Sequence, residues 1–142
     1  MTCLPDVNVW IALTVVEHVH HRAAFDWFEQ APYEHIAFSR VTQMGFLRLL
    51  TNTKILGTDA LSPIEAWKTF DGWRQQERVT FVAEPSHLEE TWRKLSHARS
   101  GGPNSWTDAY LGAFASVAGF TLVTFDRQLS RRAGLPVELL GV

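Results

Sequence analysis

Residues 104–126, NSWTDAYLGAFASVAGFTLVTFD, contain the two local patterns from which the architecture of this chain is inferred. The first half predicts a helix, because small and apolar residues recur at helical spacing on the side that carries Asp108. Gly119 supplies a helix stop. The apolar run 120–125 then predicts a buried strand, which ends abruptly at Asp126. An acid at the start of a helix and an acid just beyond the next strand are expected to lie close together.

The rest of the chain repeats this alternation of strand and helix. Strands are predicted at residues 1–5, 35–38, 79–82, 120–125 and 137–140. Helical patterns lie between successive strands, and no linker or internal repeat interrupts them. The alternation predicts an α/β fold, in which a parallel sheet carries helices on both faces. The whole chain, residues 1–142, is predicted to form a single domain.

Several helix starts are marked by capping chemistry. The predicted capping residues are Asp6, Ser39, Ser62 and Ser86. The helix after Ser62 is expected to direct Trp67, Phe70 and Trp73 inward, and residues 51–61 are predicted to form a loop. A last short helix over 127–133 precedes the final strand.

Composition excludes several classes of protein. The chain is 46% hydrophobic with a net charge of −2, so a nucleic-acid site would have to be a local patch. The single cysteine, Cys3, excludes an internal disulfide and a multi-cysteine zinc site, and is expected to be packed rather than nucleophilic. The N-terminal sequence lacks the basic region of a secretion signal, and no apolar window approaches a membrane span. We therefore expect a cytoplasmic protein without a membrane partner.

Three carboxylates are predicted to converge. Ligands of parallel α/β sheets gather at the carboxyl ends of the strands. Asp6 follows the first strand, Asp126 follows the fourth, and Asp108 begins the helix between the third and fourth strands. Each acid also has a structural interpretation as a helix cap, with Asp108 pairing Ser105 in a capping box.

The joint pattern favours a metal over three separate caps. Two carboxylates about 4–5 Å apart repel by roughly 3–4 kcal/mol at an effective dielectric near 20. A cation between them would remove that cost. Oxygen ligands without histidine or cysteine suit Mg²⁺, with Mn²⁺ as a substitute. Such a site activates water and clamps a phosphodiester.

Four segments carry a family resemblance. They are LPDVNVWIAL at 4–13, SRVTQMGFLRLLTN at 39–52, SWTDAYLGAFA at 105–115 and TLVTFDRQL at 121–129. In this order and spacing the chain resembles a PIN-domain ribonuclease, and more narrowly the VapC-type toxins of toxin–antitoxin pairs. The resemblance implies a three-layer fold around a five-stranded parallel sheet, Mg²⁺-dependent endoribonuclease activity on RNA, a small antitoxin partner and a homodimer. It matches Asp6, Asp108 and Asp126 to the family's acids, as both catalytic residues and metal ligands.

The chain departs from the fullest family pattern at two positions. Gly45 lies where the family often has glutamate, and Asn104 lies where many relatives have a further acid. Gln43 lies off the helical face of Gly45 and is a poor replacement. The metal count is therefore open. A PIN-like binding module without activity, or a phosphatase with Asp6 as nucleophile, are the alternatives, although no lysine lies near a site segment to support the phosphatase.

Other polar residues receive ordinary interpretations. Histidines 18, 20 and 21 point to different helix faces, so a solvated helix start is favoured over a ligand set. Thr124 and Asn8 have two interpretations, support of the site by hydrogen bonds or an ordinary strand or turn role, and the second is favoured. Two hypotheses stay open for Arg48, a salt bridge or a substrate contact. Arg127, Arg131 and Arg132 are assigned either to RNA phosphate or, for the last two, to a helix C-terminus.

Overall fold

The structure is a computed structural model that describes residues 1–97, 105–132 and 134–141. Strands and helices alternate along it as predicted. The strands are β1 Thr2–Pro5, β2 His35–Phe38, β3 Val79–Phe81, β4 Thr121–Thr124 and β5 Val137–Leu139. The helices are α1 Val7–Thr14, α2 His21–Gln30, α3 Arg40–Leu50, α4 Thr53–Leu56, α5 Pro63–Arg74, α6 Leu88–His97, α7 Ser105–Ala118 and α8 Arg127–Ser130, and Gly57–Asp59 forms a 3₁₀ turn after α4.

The five strands form one parallel sheet in the order β3-β2-β1-β4-β5. The predicted α/β class and the parallel five-stranded sheet are confirmed. The chain moves outward from β1 through β2 to β3, and then returns to the other side of β1 with β4. This reversal opens a crevice beyond the carboxyl ends of β1 and β4, where parallel α/β sheets bind ligands.

Helices cover both faces of the sheet and enclose two hydrophobic cores. One core joins α1, α2, α3 and α5 to the sheet, and Trp10 stacks on Phe38 there with ring centroids 3.9 Å apart. The other core lies under α6, α7 and α8, with Leu111 and Phe114 buried. None of the described helices is long and apolar enough to cross a bilayer.

The capping chemistry locates three of the four predicted helix starts. Asp6 caps α1, and both Ser39 and Ser62 form capping boxes. The prediction for Ser86 is wrong, because α6 begins at Leu88 and the preceding His87 adopts a left-handed φ of 67°. That backbone conformation separates Ser86 from the helix.

Two further predictions are corrected. Residues 51–61 are not a simple loop, because Asn52 accepts a hydrogen bond from the Lys54 amide at 2.9 Å and starts the short helix α4. Trp67 is not inward, since 49% of it is exposed, whereas Phe70 on the same helix is buried. The strand limits differ from the predictions by at most one residue at each end, and the last helix ends at Ser130 rather than at residue 133.

Candidate functional site at the carboxyl edge of the sheet

Asp6 is the most enclosed acid at this edge. It directly follows β1, and its side chain is held at both oxygens. Oδ1 accepts a hydrogen bond from the Val9 amide at 3.1 Å, which caps α1, and Oδ2 accepts one from Thr124 Oγ1 at 2.5 Å. Only 8% of the residue is exposed. The carboxyl group is therefore fixed in place at the end of the central strand.

Burial makes the charged form of Asp6 costly. The pKa of Asp6 rises from 3.8 to about 6, first because burial removes the carboxylate from water. The hydrogen bonds from Thr124 and Val9 lower this pKa, and the charges of Asp108 and Asp126 raise it. The three predicted acids are thus close enough to affect one another.

Asp126 occupies the equivalent position after β4. Its Oδ1 accepts hydrogen bonds from the amides of Gln128 at 2.9 Å and Leu129 at 3.4 Å, and so caps α8. Its own amide donates to Thr124 Oγ1 at 3.0 Å. Thr124 is fully buried and joins the ends of β1 and β4 through one hydroxyl. Thr124 is a residue of β4, as favoured from the sequence, and it also fills the alternative role of supporting Asp6 by a hydrogen bond.

Asp108 approaches from the other side of the crevice. It lies in the first turn of α7 and is half-buried. Burial and the charge of Asp126 raise its pKa, whereas the positive charge of Arg132 lowers it. Asp6 and Asp108 line one cleft of about 190 Å³, together with Asn8, Arg48 and other residues. This cleft is the place where a ligand would contact both acids.

The donors at this cleft fit a divalent cation that keeps much of its water. None of the three acids forms an ion pair within 4.0 Å among the described residues. The same part of the chain contains no group of three acidic, histidine or cysteine side chains tight enough to be a ready metal cage. Mg²⁺ does not need such a cage, because one or two carboxylates commonly hold it with several waters. Oxygen donors with raised pKa values and no ion pair within 4.0 Å in the described part of the chain suit that mode of binding.

Comparison with known proteins gives the family. The family model described as "PIN domain" matches residues 3–135. The chain belongs to the PIN-domain family. Ribonuclease VapC41 of Mycobacterium tuberculosis (strain ATCC 25618 / H37Rv) is 41% identical over 144 residues, which cover 97% of this chain and 98% of that relative. The resemblance to PIN-domain proteins of the VapC type is thereby confirmed.

Solved structures share the fold at lower identity. VapBC2 from Rickettsia felis, bound to a DNA fragment from their promoter, matches with a TM-score of 0.72 at 14% identity, over 99% of this chain and 100% of that chain. Mycobacterium tuberculosis VapC20, a sarcin-ricin loop cleaving toxin, matches with a TM-score of 0.70 at 20% identity, over 95% of this chain and 96% of that chain. These two likenesses establish the PIN fold of the chain.

Gly45, which lies where the family often has glutamate, is closely packed against a neighbouring helix. A Cβ at Gly45 would lie 2.6 Å from Cγ2 and 3.3 Å from Cγ1 of Val7. The backbone of α3 therefore packs directly against Val7 of α1, and Val7 itself lines the cleft. Valine methyl groups fill the space into which a longer side chain would enter. Asn104, the other departure from the family pattern, lies outside the described residues.

Three further residues from the sequence analysis, Gln43, Arg48 and Cys3, differ in their surroundings. Gln43 is buried and accepts a hydrogen bond from Arg40 at 2.6 Å, so it does not replace the missing acid. Arg48 is exposed at the cleft and forms no ion pair with a described residue, which leaves it available to substrate. Cys3 is buried as predicted, and burial raises the pKa of its thiol.

His18, His20 and His21 are half-buried and contact neighbouring groups. The ring of His20 stacks on Phe125 with centroids 4.4 Å apart, and His18 Nδ1 accepts a hydrogen bond from the His20 amide at 3.0 Å. His21 Nδ1 lies 2.7 Å from the Ala12 carbonyl. The three residues are half-buried, so the predicted start is less solvated than expected, and the described residues form no metal-ligand group there.

Proposed function

We propose that this protein is a Mg²⁺-dependent endoribonuclease and the toxin of a type II toxin–antitoxin pair. The observation that carries the proposal is the Asp6 carboxylate, which is buried, lacks a cationic partner among the described residues and shares a cleft with Asp108. The family supports the chemistry, since the chain is 41% identical to Ribonuclease VapC41. Mn²⁺ is expected to substitute for Mg²⁺.

Each residue of the site has a proposed role. Asp6 and Asp108 hold the metal inside the cleft, and Asp126 contributes its charge from the rim. When bound, the divalent cation supplies Lewis-acid activation of water and offsets charge on the phosphodiester. Thr124 fixes the Asp6 carboxylate through the hydrogen bond to Oδ2. Arg48, exposed at the cleft, is placed to contact an RNA phosphate.

The proposed partners follow from the family. A small antitoxin protein would bind this chain, as the VapBC2 complex from Rickettsia felis supports for that relative. We also propose a homodimer, and a cytoplasmic location where RNA and antitoxin are both accessible. A growth assay with and without the gene for the antitoxin tests the pairing. Failure of every adjacent small open reading frame to neutralise the protein would contradict it.

The metal is tested first without any activity. Mg²⁺ or Mn²⁺ should raise the melting temperature, because a ligand that binds only the folded state stabilises it by mass action. At concentrations about a hundredfold above Kd the gain is roughly 2.7 kcal/mol. Asp108→Asn should remove most of this gain, whereas Asp71→Asn, on an exposed acid of α5, should keep it. An equal response of both variants would argue against a metal at the cleft.

RNA cleavage then tests the activity. Wild-type protein should cut single-stranded RNA with Mg²⁺ and not with EDTA, and Asp71→Asn should behave as wild type. The packing of Gly45 against Val7 favours one rival, a PIN-like binding module without activity. A protein that binds metal and RNA but cuts neither structured nor single-stranded RNA would establish that rival. The phosphatase alternative has no support at the cleft, since no lysine of the described chain lines it.

A further inference from the structure

A second charged feature lies at the β3 end of the sheet. The guanidinium carbon of Arg40 lies 4.7 Å from the centroid of the Phe81 ring, and that of Arg74 lies 5.9 Å from the same centroid. Two cations therefore share one aromatic ring, which we call the arginine pair. Both arginines are exposed, and Phe81 is half-buried between them and the sheet.

The arginine pair is not neutralised within the described part of the chain. Neither guanidinium lies within 4.0 Å of a carboxylate there, whereas Arg22 and Arg93 pair with acids one helical turn away. Cation–π contact orients a guanidinium, but it leaves the N–H groups at the edge of the fork free to bind an anion. Two like charges held together without an acid attract a negatively charged ligand.

The helix dipole does not explain a cation at position 40. Arg40 is the first residue of α3, where the helix dipole disfavours a cation, and α3 has no acid in its first turn. Its Nη1 nevertheless donates a 2.6 Å hydrogen bond to the buried Gln43 side chain. The arginine is thus held in one orientation at a position where its charge weakens the helix, which is typical of a residue kept for binding.

The arginine pair and the acidic cleft lie at the same edge of the sheet. Phe81 ends β3 and Arg40 follows the end of β2, just as Asp6 follows the end of β1. Neighbouring strands are about 4.8 Å apart, so the ends of β3 and β1 are separated by roughly 10 Å. A flexible polyanion whose one phosphate lies at the acids would reach the arginine pair with another phosphate of the same strand.

We propose that Arg40 and Arg74, supported by Phe81, bind the backbone of single-stranded RNA next to the segment that enters the acidic cleft. This inference rests on the proposed ribonuclease function and adds to it a binding site outside the cleft. The contacts are to phosphate and carry no base preference, so the arginine pair sets the position of the strand rather than the sequence that is cut.

Binding of a fluorescently labelled single-stranded RNA, measured by anisotropy in EDTA over a series of salt concentrations, tests the proposal without cleavage. Each phosphate contact contributes about 0.7 to the slope of log affinity against log salt. Arg40→Gln and Arg74→Gln should each reduce the slope by about 0.7, and the double variant should bind roughly 20-fold more weakly at 0.1 M salt. Arg93→Gln is the matched control, because that arginine already pairs with Glu89 at 2.9 Å.

Cleavage kinetics give an independent readout. The double variant should raise KM and leave kcat unchanged, because contacts away from the reacting phosphate bind substrate and transition state equally. Arg40→Lys should retain part of the affinity, since the charge is kept and the planar fork is lost. Melting curves confirm folding, and if Arg40→Gln is unfolded, Arg74→Gln alone decides the test.

The outcomes separate this proposal from the proposed function. If the wild type binds and cuts RNA, and the double variant binds RNA as tightly as Arg93→Gln does, the arginine pair is overturned and the proposed function is left intact. If the double variant loses binding to an acidic peptide but binds RNA as the wild type does, the RNA proposal is also overturned, and the surface is assigned to a protein partner. Arginine-dependent RNA binding without any cleavage supports the pair and contradicts the ribonuclease. A wild type that does not bind RNA overturns both.

Discussion

Asp6 and Asp126 occupy the same local context and reach different environments. Asp6 directly follows strand β1, and Asp126 lies two residues beyond strand β4. Each caps the next helix through Oδ1. Asp6 ends the central strand and is 8% exposed, whereas Asp126 lies beyond β4 and is exposed. Helix capping is therefore common to both, and burial is not. Burial removes the Asp6 carboxylate from water and raises its pKa, so a cation beside it would offset that cost.

The largest difference is expected in catalysis. Asp6→Asn should lower RNA cleavage at saturating Mg²⁺ by more than about 100-fold, since even the outer-sphere partners of metal ligands cost 10–100-fold when removed. Asp126→Asn should lower RNA cleavage by only about 10–100-fold, because Oδ1 of Asp126 already accepts hydrogen bonds from two amides. Both variants keep a residue that caps well. Equal losses at the two positions would show that burial does not distinguish them.

The second difference concerns pH and stability. A pKa raised from 3.8 to about 6 means that the folded protein holds the Asp6 proton more tightly than the unfolded chain. The stabilisation is complete below pH 3.8 and is lost as pH rises through 6, which amounts to about 3 kcal/mol. In EDTA at pH 8, Asp6→Asn should have an unfolding free energy about 2 kcal/mol higher than wild type, measured by urea unfolding, because it lacks the buried charge. Asp71→Asn, on an exposed acid of α5, is the control and should show the wild-type decline between pH 4 and pH 6.

Thr124→Val removes the link between the two acids. Thr124 loses both the donor to Asp6 and the acceptor for the Asp126 amide, in a fully buried position. We expect a loss of about 1–2 kcal/mol in unfolding free energy, the range for an unsatisfied buried group. The pKa of Asp6 should rise further, because the Thr124 hydrogen bond lowers it. Thr124→Ser, which keeps the hydroxyl, should restore that pKa in NMR titration; a failure to do so would assign the effect to packing.

The smallest effect isolates capping itself. Asp126→Ala should destabilise the protein by about 1 kcal/mol, which is the usual value of a helix cap, while Asp126→Asn should be nearly neutral. The comparison is made from thermal unfolding in EDTA, so that metal does not contribute. A loss of similar size in both variants would mean that the charge of Asp126, rather than its cap, stabilises α8.

Much of this molecule is predictable from local patterns. The run at 35–38 matches β2 residue for residue, because a short apolar segment lies between polar residues. Asp6, Ser39 and Ser62 were recognisable as caps since capping depends on three or four neighbouring residues. The parallel order then brings Asp6 and Asp126 to one edge without further information. Whether they and Asp108 act as metal ligands stays a prediction.

The remaining features depend on contacts between distant segments. The Thr124 hydrogen bond to Asp6 spans 118 residues, and no spacing rule detects it. The helix α4 has only four residues and no apolar stripe, so periodicity does not reveal it. Exposure of Trp67 likewise depends on what packs beside α5. These corrections share one cause, since tertiary packing decides what local propensity leaves open.

The contact between Gly45 and Val7 also constrains the evolutionary history open to this chain. A descendant that acquired glutamate at position 45 would first have to accommodate a Cβ 2.6 Å from a valine methyl group. The steric conflict with Val7 would therefore have to be relieved before the new carboxylate could give any benefit. The two positions form an epistatic pair, in which the order of substitution matters. A side chain at position 45 therefore requires Val7 to move or to be replaced by a smaller residue.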